Sequence, residues 1–139
     1  MVLAAAGFVI YRIISSEVQY LLMQTSYGIN HWTPPKGHVD PGESDFDTAV
    51  RETREESGIN LADLRIIEGF KKIIEYNVKG KNKRVTYWLA ELLNPETAVI
   101  MSEEHQAYKW LPLQDACQLA NFKEMQDVLI ECQKFIDSR

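Results

Sequence analysis

Hydrophobic positions along the chain fall into runs of two periods. Residues 3–14 are apolar almost throughout and rich in β-branched and aromatic side chains, which predicts a buried strand. Residues 19–24 predict a second strand. Polar Ser15, Ser16 and Glu17 between the two suit a hairpin. Tyr27, Gly28, Ile29 and Asn30 predict a loop. The segment 31–37 that follows, His-Trp-Thr-Pro-Pro-Lys-Gly, carries two prolines and a glycine and should be stiff and non-helical. Pro41-Gly42 reads as a turn. A helix then begins, capped by Ser44 or Asp45 and closed by Gly58. Its less polar face is Phe46, Ala49, Val50 and Thr53. Residues 64–70, 72–78 and 84–93 predict three further strands, with Gly80 at a basic hairpin tip spanning 79–84. Residues 107–111 alternate as a last strand. Pro112 opens a helical region in which Leu113, Ala116, Cys117 and Ala120 recur at helical spacing, followed by Met125, Val128, Leu129, Cys132 and Ile136. Strands, helix, strands and helix in that order indicate a mixed α/β (α+β) fold, with helices packed on a sheet.

Composition narrows this without changing it. At 139 residues, 45% hydrophobic and 25% charged, the chain is not disordered, fibrous or a transmembrane bundle, and a single domain over 1–139 is expected. Its net charge of −5 argues against gripping long nucleic acid by the phosphates, but not against a small anionic ligand held locally. Two cysteines, Cys117 and Cys132, lack any zinc spacing and read as small hydrophobes in a reducing compartment. The N-terminal apolar run has no basic region before it and falls short of the ~20 residues that span a bilayer. The expectation is a soluble, monomeric, intracellular protein without a membrane partner, cytoplasmic with nuclear residence left open.

Candidate chemistry sits in the first helix. At about 100° per residue, with Glu52 at zero, Glu55 falls near ~300° and Glu56 near ~40°, so three carboxylates share one face. Like charges at that spacing cost roughly 0.2–0.5 kcal/mol per pair, and Arg51 and Arg54 relieve only part of it. On helix geometry alone a solvated acidic face is the commoner meaning of such a run. The other meaning is a site for a hard divalent cation, Mg²⁺ or Mn²⁺, of the kind that serves bound phosphates.

The flanking residues favour the second meaning. Gly37-x5-Glu43-x7-Arg51-Glu52-Thr53-x-Glu55-Glu56-x-Gly58-Ile59 resembles the Nudix box, G-x5-E-x7-R-E-U-x-E-E-x-G-U, where U is bulky and aliphatic. Thr53 departs from the pattern at the first U. The resemblance implies an α/β/α sandwich with a mixed sheet, the box forming a loop–helix–loop. It implies metal-dependent hydrolysis of nucleoside diphosphates linked to another group. By the same resemblance, Glu52, Glu55 and Glu56 hold metal with the Gly37 carbonyl, and Arg51 orients Glu43 or Glu52. A late acidic residue adds a metal ligand and general base. Spacing leaves Glu103 and Glu104 both open for that role, and Glu104 is preferred.

Beyond the box, residues 31–39, 87–90, 102–108 and 121–125 resemble the animal subfamily that cleaves dinucleoside tetraphosphates asymmetrically. That resemblance implies hydrolysis of diadenosine tetraphosphate to ATP and AMP. It implies phosphate contacts from His31, Lys36 and Lys83, a hydroxyl from Tyr87, and an adenine held between Tyr76 and Phe122. Phe122, Tyr76 and the basic tip that holds Lys83 each have a plainer meaning, as core, strand packing and solvated loop tip. Other readings are a Nudix hydrolase of inositol pyrophosphates or mRNA caps, or a nucleotide-binding module without catalysis. Such a module would be expected to have lost a box glutamate, and none is lost.

Overall fold

The computed structural model describes residues 2–26 and 31–139; the loop expected at 27–30 lies outside them. A seven-stranded mixed sheet organises the chain. Strands β1 (Val2–Ile14) and β2 (Glu17–Thr25) are antiparallel, joined through Ser15 and Ser16, both at positive φ. This is the two-residue hairpin geometry that matches strand twist. β1 also runs parallel to β6 (Lys81–Leu92), which pairs antiparallel with β5 (Leu64–Val78). β7 (His105–Leu111) lies along the other edge of β2.

The feature that creates a site is a fork. β1 and β2 pair only from Tyr11↔Tyr20 to Ile14↔Glu17. Past that point they separate. β3 (Trp32–Thr33) pairs with β2, and β4 (Lys36–His38) pairs with β1. The stiff segment expected from its prolines thus becomes two short strands. Buried Pro34 and Pro35 cross the gap between them, where a residue with an N–H would have needed a partner.

Helices cover both faces. Helix α1 (Asp45–Ser57) has Ser44 as N-cap, its Oγ accepting from the Asp47 N–H at 3.0 Å, and left-handed Gly58 at its C-terminus. It packs on the face carrying Ala6, Phe8 and Ile10 of β1, with Leu21, Met23 and Leu92. Phe8, Phe46 and Trp88 meet there edge to face, with centroids 5.6 and 5.2 Å apart for the Phe8–Phe46 and Phe46–Trp88 pairs. Helices α2 (Leu113–Ala120) and α3 (Lys123–Asp137) cover the opposite face, over Val9, Tyr20, Leu22, Val85 and Leu89.

Two expectations need correction. The strands expected at 64–70 and 72–78 are one strand, β5, bent by a register shift between Ile66 and Lys71. A bulge keeps the strand paired while re-aiming it. The C-terminal helical region is two helices, broken where Asn121 adopts a left-handed conformation.

Thr53, the departure within the box, is 1% exposed, and its Oγ1 has no hydrogen-bond partner. An unsatisfied buried hydroxyl costs roughly 1–3 kcal/mol. Thr53→Val keeps the shape and removes that cost. It should raise the denaturation free energy by about 1–2 kcal/mol in urea titrations; a loss of stability would show that the hydroxyl is satisfied in solution.

Candidate active site

The box glutamates lie where β4 meets the last two turns of α1. Although one helix face carries all three, they point to different surroundings. Glu56 is 6% exposed, and its Oε1 accepts from the backbone N–H of Lys36 at 3.0 Å. Burial foremost, then the adjacent Glu52, push its pKa well above the usual carboxylate range. Glu52 has a side chain 14% exposed and held by Arg51 Nη1 at 2.7 Å. Glu55 is open to solvent, its side chain 51% exposed, with Arg51 3.3 Å away.

Arg51 organises the cluster. Its Nε and Nη2 donate to both oxygens of Glu43, at 2.8 and 2.9 Å, and Nη2 also donates to the His38 carbonyl at 3.1 Å. Arg51 thus donates to both of the glutamates named as alternatives, Glu43 and Glu52. Arg51 foremost, then the Thr48 hydroxyl, hold the Glu43 pKa down to about 2. A depressed folded-state pKa gives stability that is full above roughly pH 5 and lost as pH falls toward ~2. Thermal unfolding at pH 6 and pH 3 should show that loss, and Glu43→Gln should flatten it; an identical acid response in the variant would remove Glu43 from its cause.

Gly37 is where a side chain is forbidden. A Cβ there would lie 2.1 Å from the Glu52 carboxyl, so the glycine lets the carboxylate lie against the backbone. Lys36 and Lys83 face each other beside these acids. Burial first, then Lys83, bring the Lys36 pKa down to about 8. Lys83 pairs in register with Tyr76, its Nζ 5.9 Å from that ring. His31 sets its ring edge to face against Phe122, 6.5 Å between centroids. Tyr76 and Phe122 are both half-buried at the rim of the same core cluster. Tyr87 is a core residue, 1% exposed, and after burial itself Tyr76 and Glu56 are the groups that raise its pKa.

The late acidic turn is docked onto α1. Ile100 and Ser102 donate backbone N–H groups to the carbonyls of Ser57 and Glu56, at 2.8 and 3.3 Å. Ser26 N–H donates to the Glu104 carbonyl at 2.9 Å, and Ser26 Oγ to that of Glu103 at 3.3 Å. Both glutamate side chains are exposed. His105, absent from the expected site, is buried, with Nε2 3.9 Å from Glu56 Oε1. The available signal was its phase: it lies in step with inward-facing Ala107 on β7.

The description of a NUDIX domain matches residues 4–131. The chain belongs to the Nudix family. It is 51% identical to the mouse asymmetrical bis(5′-nucleosyl)-tetraphosphatase, over 99% of this chain and 98% of that one. Against the Caenorhabditis elegans protein of the same description it is 48% identical, with 98% of each covered. A crystal structure described as a C. elegans Ap4A hydrolase binary complex superposes with a TM-score of 0.96 at 46% identity, covering 99% of both chains.

Nudix hydrolases use divalent metals. Among the described residues no three His, Cys, Asp or Glu side chains close into a finished metal cluster, and Glu52 and Glu55 are both paired with Arg51. The donors nonetheless fit such an ion. Two carboxylates, Glu52 and Glu56, are brought side by side, so that Glu52 raises the proton affinity of Glu56, and hard oxygen donors suit Mg²⁺ and Mn²⁺.

Proposed function

We propose that this protein hydrolyses diadenosine tetraphosphate asymmetrically, giving ATP and AMP, with residues 1–139 acting as one Nudix domain. The observation that carries the reading is the juxtaposition of acidic and basic groups where β4 meets α1. Half-buried Glu52 and buried Glu56 lie beside Lys36, whose backbone N–H donates to Glu56, and Lys36 neighbours Lys83. Acids to hold a cation next to paired ammonium groups to hold phosphates is the arrangement a metal–polyphosphate substrate requires. Near-complete coverage by asymmetrical tetraphosphatases supports the choice of substrate.

In this reading Glu52, Glu56 and the Gly37 carbonyl, joined by Glu55 and Glu104, would hold Mg²⁺, or Mn²⁺ in its place. A bound divalent ion supplies neutralisation of phosphate oxygens and acidification of the attacking water. Glu104, exposed on the docked turn, takes the water's proton as the water oxygen bonds to phosphorus and the bridging P–O bond breaks. Arg51 holds Glu52 in place. His31, Lys36 and Lys83 take the phosphate chain, with the Tyr87 hydroxyl at its floor, and Tyr76 and Phe122 take one adenine. The protein acts as a monomer on a small dinucleotide. Free Cys117 and Cys132 support a reducing compartment, the cytoplasm. No helix among the described residues is long and apolar enough to cross a membrane.

Incubation with diadenosine tetraphosphate and Mg²⁺, followed by separation of the nucleotides, tests the reading. Equimolar ATP and AMP are expected. ADP as the sole product would overturn the asymmetry, and no turnover with either Mg²⁺ or Mn²⁺ would overturn the enzyme assignment.

A further inference from the structure

Among the described residues His105 is one of six buried polar or charged side chains, and both of its ring nitrogens lie near polar atoms. Nε2 lies 3.9 Å from Glu56 Oε1, and Nδ1 lies 3.4 Å from Ser102 Oγ. The chain continues beyond Ser102. Ser102 Oγ accepts from the Glu104 backbone N–H at 3.3 Å, and its own proton is free to point at Nδ1. With Nδ1 accepting, a neutral imidazole carries its hydrogen on Nε2, facing the carboxylate.

The same turn is anchored at both ends. Ser102 N–H is bonded to the Glu56 carbonyl, and His105 N–H to the Ser102 carbonyl at 3.2 Å. The imidazole therefore returns over the side chain of the residue whose backbone holds its own loop. Glu56 Oε1 already accepts from Lys36 N–H on its other side. Two donors converging on one oxygen would fix the carboxylate's rotation and leave Oε2 to turn toward Glu52. Contacts of this kind are commonly long before the charged partner arrives and shorten afterwards.

We propose that His105 is a positioning residue: through the Glu104–Ser102–His105 chain it orients the Glu56 carboxylate for divalent-cation binding and ties that orientation to the turn bearing Glu104. The inference rests on Glu56 being a metal ligand, as in the proposed function, and not on which nucleotide is cleaved. Residues that orient a ligand from behind typically matter 10–100-fold in metal affinity.

The test is Mn²⁺ binding to the nucleotide-free protein, read by electron paramagnetic resonance of free Mn²⁺, alongside thermal unfolding and kinetics with diadenosine tetraphosphate. His105→Leu, which fills the space without a donor, should weaken Mn²⁺ binding at least about tenfold and lower kcat more than it raises KM. His105→Gln, whose amide can donate to Glu56, should recover affinity to within about threefold of the wild type. Ser102→Ala, which removes only the hydroxyl that orients the ring, should weaken binding a few-fold, and it decides the matter if His105→Leu does not fold. Wild-type Mn²⁺ affinity in His105→Leu or in Ser102→Ala would overturn the proposal. So would a glutamine variant as weak as leucine, or a wild type that binds no Mn²⁺. A wild type that binds Mn²⁺ but leaves diadenosine tetraphosphate intact would overturn the substrate reading alone, the variants' affinities still deciding for or against His105.

Discussion

Glu56→Gln should lower kcat for diadenosine tetraphosphate by about 10²–10⁴-fold, the equivalent of several kcal/mol of lost charge stabilisation in the transition state. The substitution keeps the side chain's volume and its place under the Lys36 N–H, but removes the negative charge. Because that charge is buried against Glu52, the metal-free variant should be at least as stable as the wild type. Loss of activity with an unchanged or raised melting temperature separates a ligand from a packing residue. Kinetics over a range of Mg²⁺ concentrations check it; a near-normal rate at low Mg²⁺ would mean that Glu56 does not hold the cation. Glu104→Gln should instead lower kcat with the Mg²⁺ dependence less altered, as expected of a proton acceptor.

Tyr76→Ala and Phe122→Ala should each raise KM by about ten- to a hundredfold with kcat little changed, since base stacking is worth roughly 1–3 kcal/mol and is equal in ground and transition states. The structure sharpens the contrast with simple packing. A fully buried ring costs about 3–5 kcal/mol when cut to alanine, whereas both of these rings are half-buried at the rim of the core, so the stability loss should be well below that. Phe122 also immediately precedes α3, at its N-cap, with extended backbone and no side-chain capping bond; alanine there should leave the helix start intact. Melting temperatures and kinetics on the same two proteins decide: a large drop in melting temperature with unchanged KM would make both rings core residues.

Helix α1 was legible because everything that defines it is local. Ser44, the acidic first turn, the apolar face and Gly58 all lie within one short stretch of chain. The hairpin at Ser15-Ser16 and the tip at Lys79-Gly80 were legible for the same reason. The bulge that makes β5 one strand was not, because a register shift is a property of the pair β5–β6 and not of either strand's pattern. Nor was the break at Asn121, where helical spacing runs on across a residue whose left-handed backbone is compatible with its side chain but not demanded by it.

The candidate site divides along the same line. The sequence by itself determined the box, the face that its glutamates share, and the need for a countercharge, because these follow from helical geometry over a few turns. Tertiary structure alone decided what each glutamate does with that face. The fork between β1 and β2 brings the Lys36 N–H onto Glu56. Arg51 turns Glu52 and Glu55 toward Glu43. A turn almost fifty residues further along lays His105 over the same carboxylate. Helix periodicity fixes where a Cβ points, but the carboxylate lies further out on freely rotating bonds. Its direction and its proton affinity are set by whichever distant groups the fold carries against it.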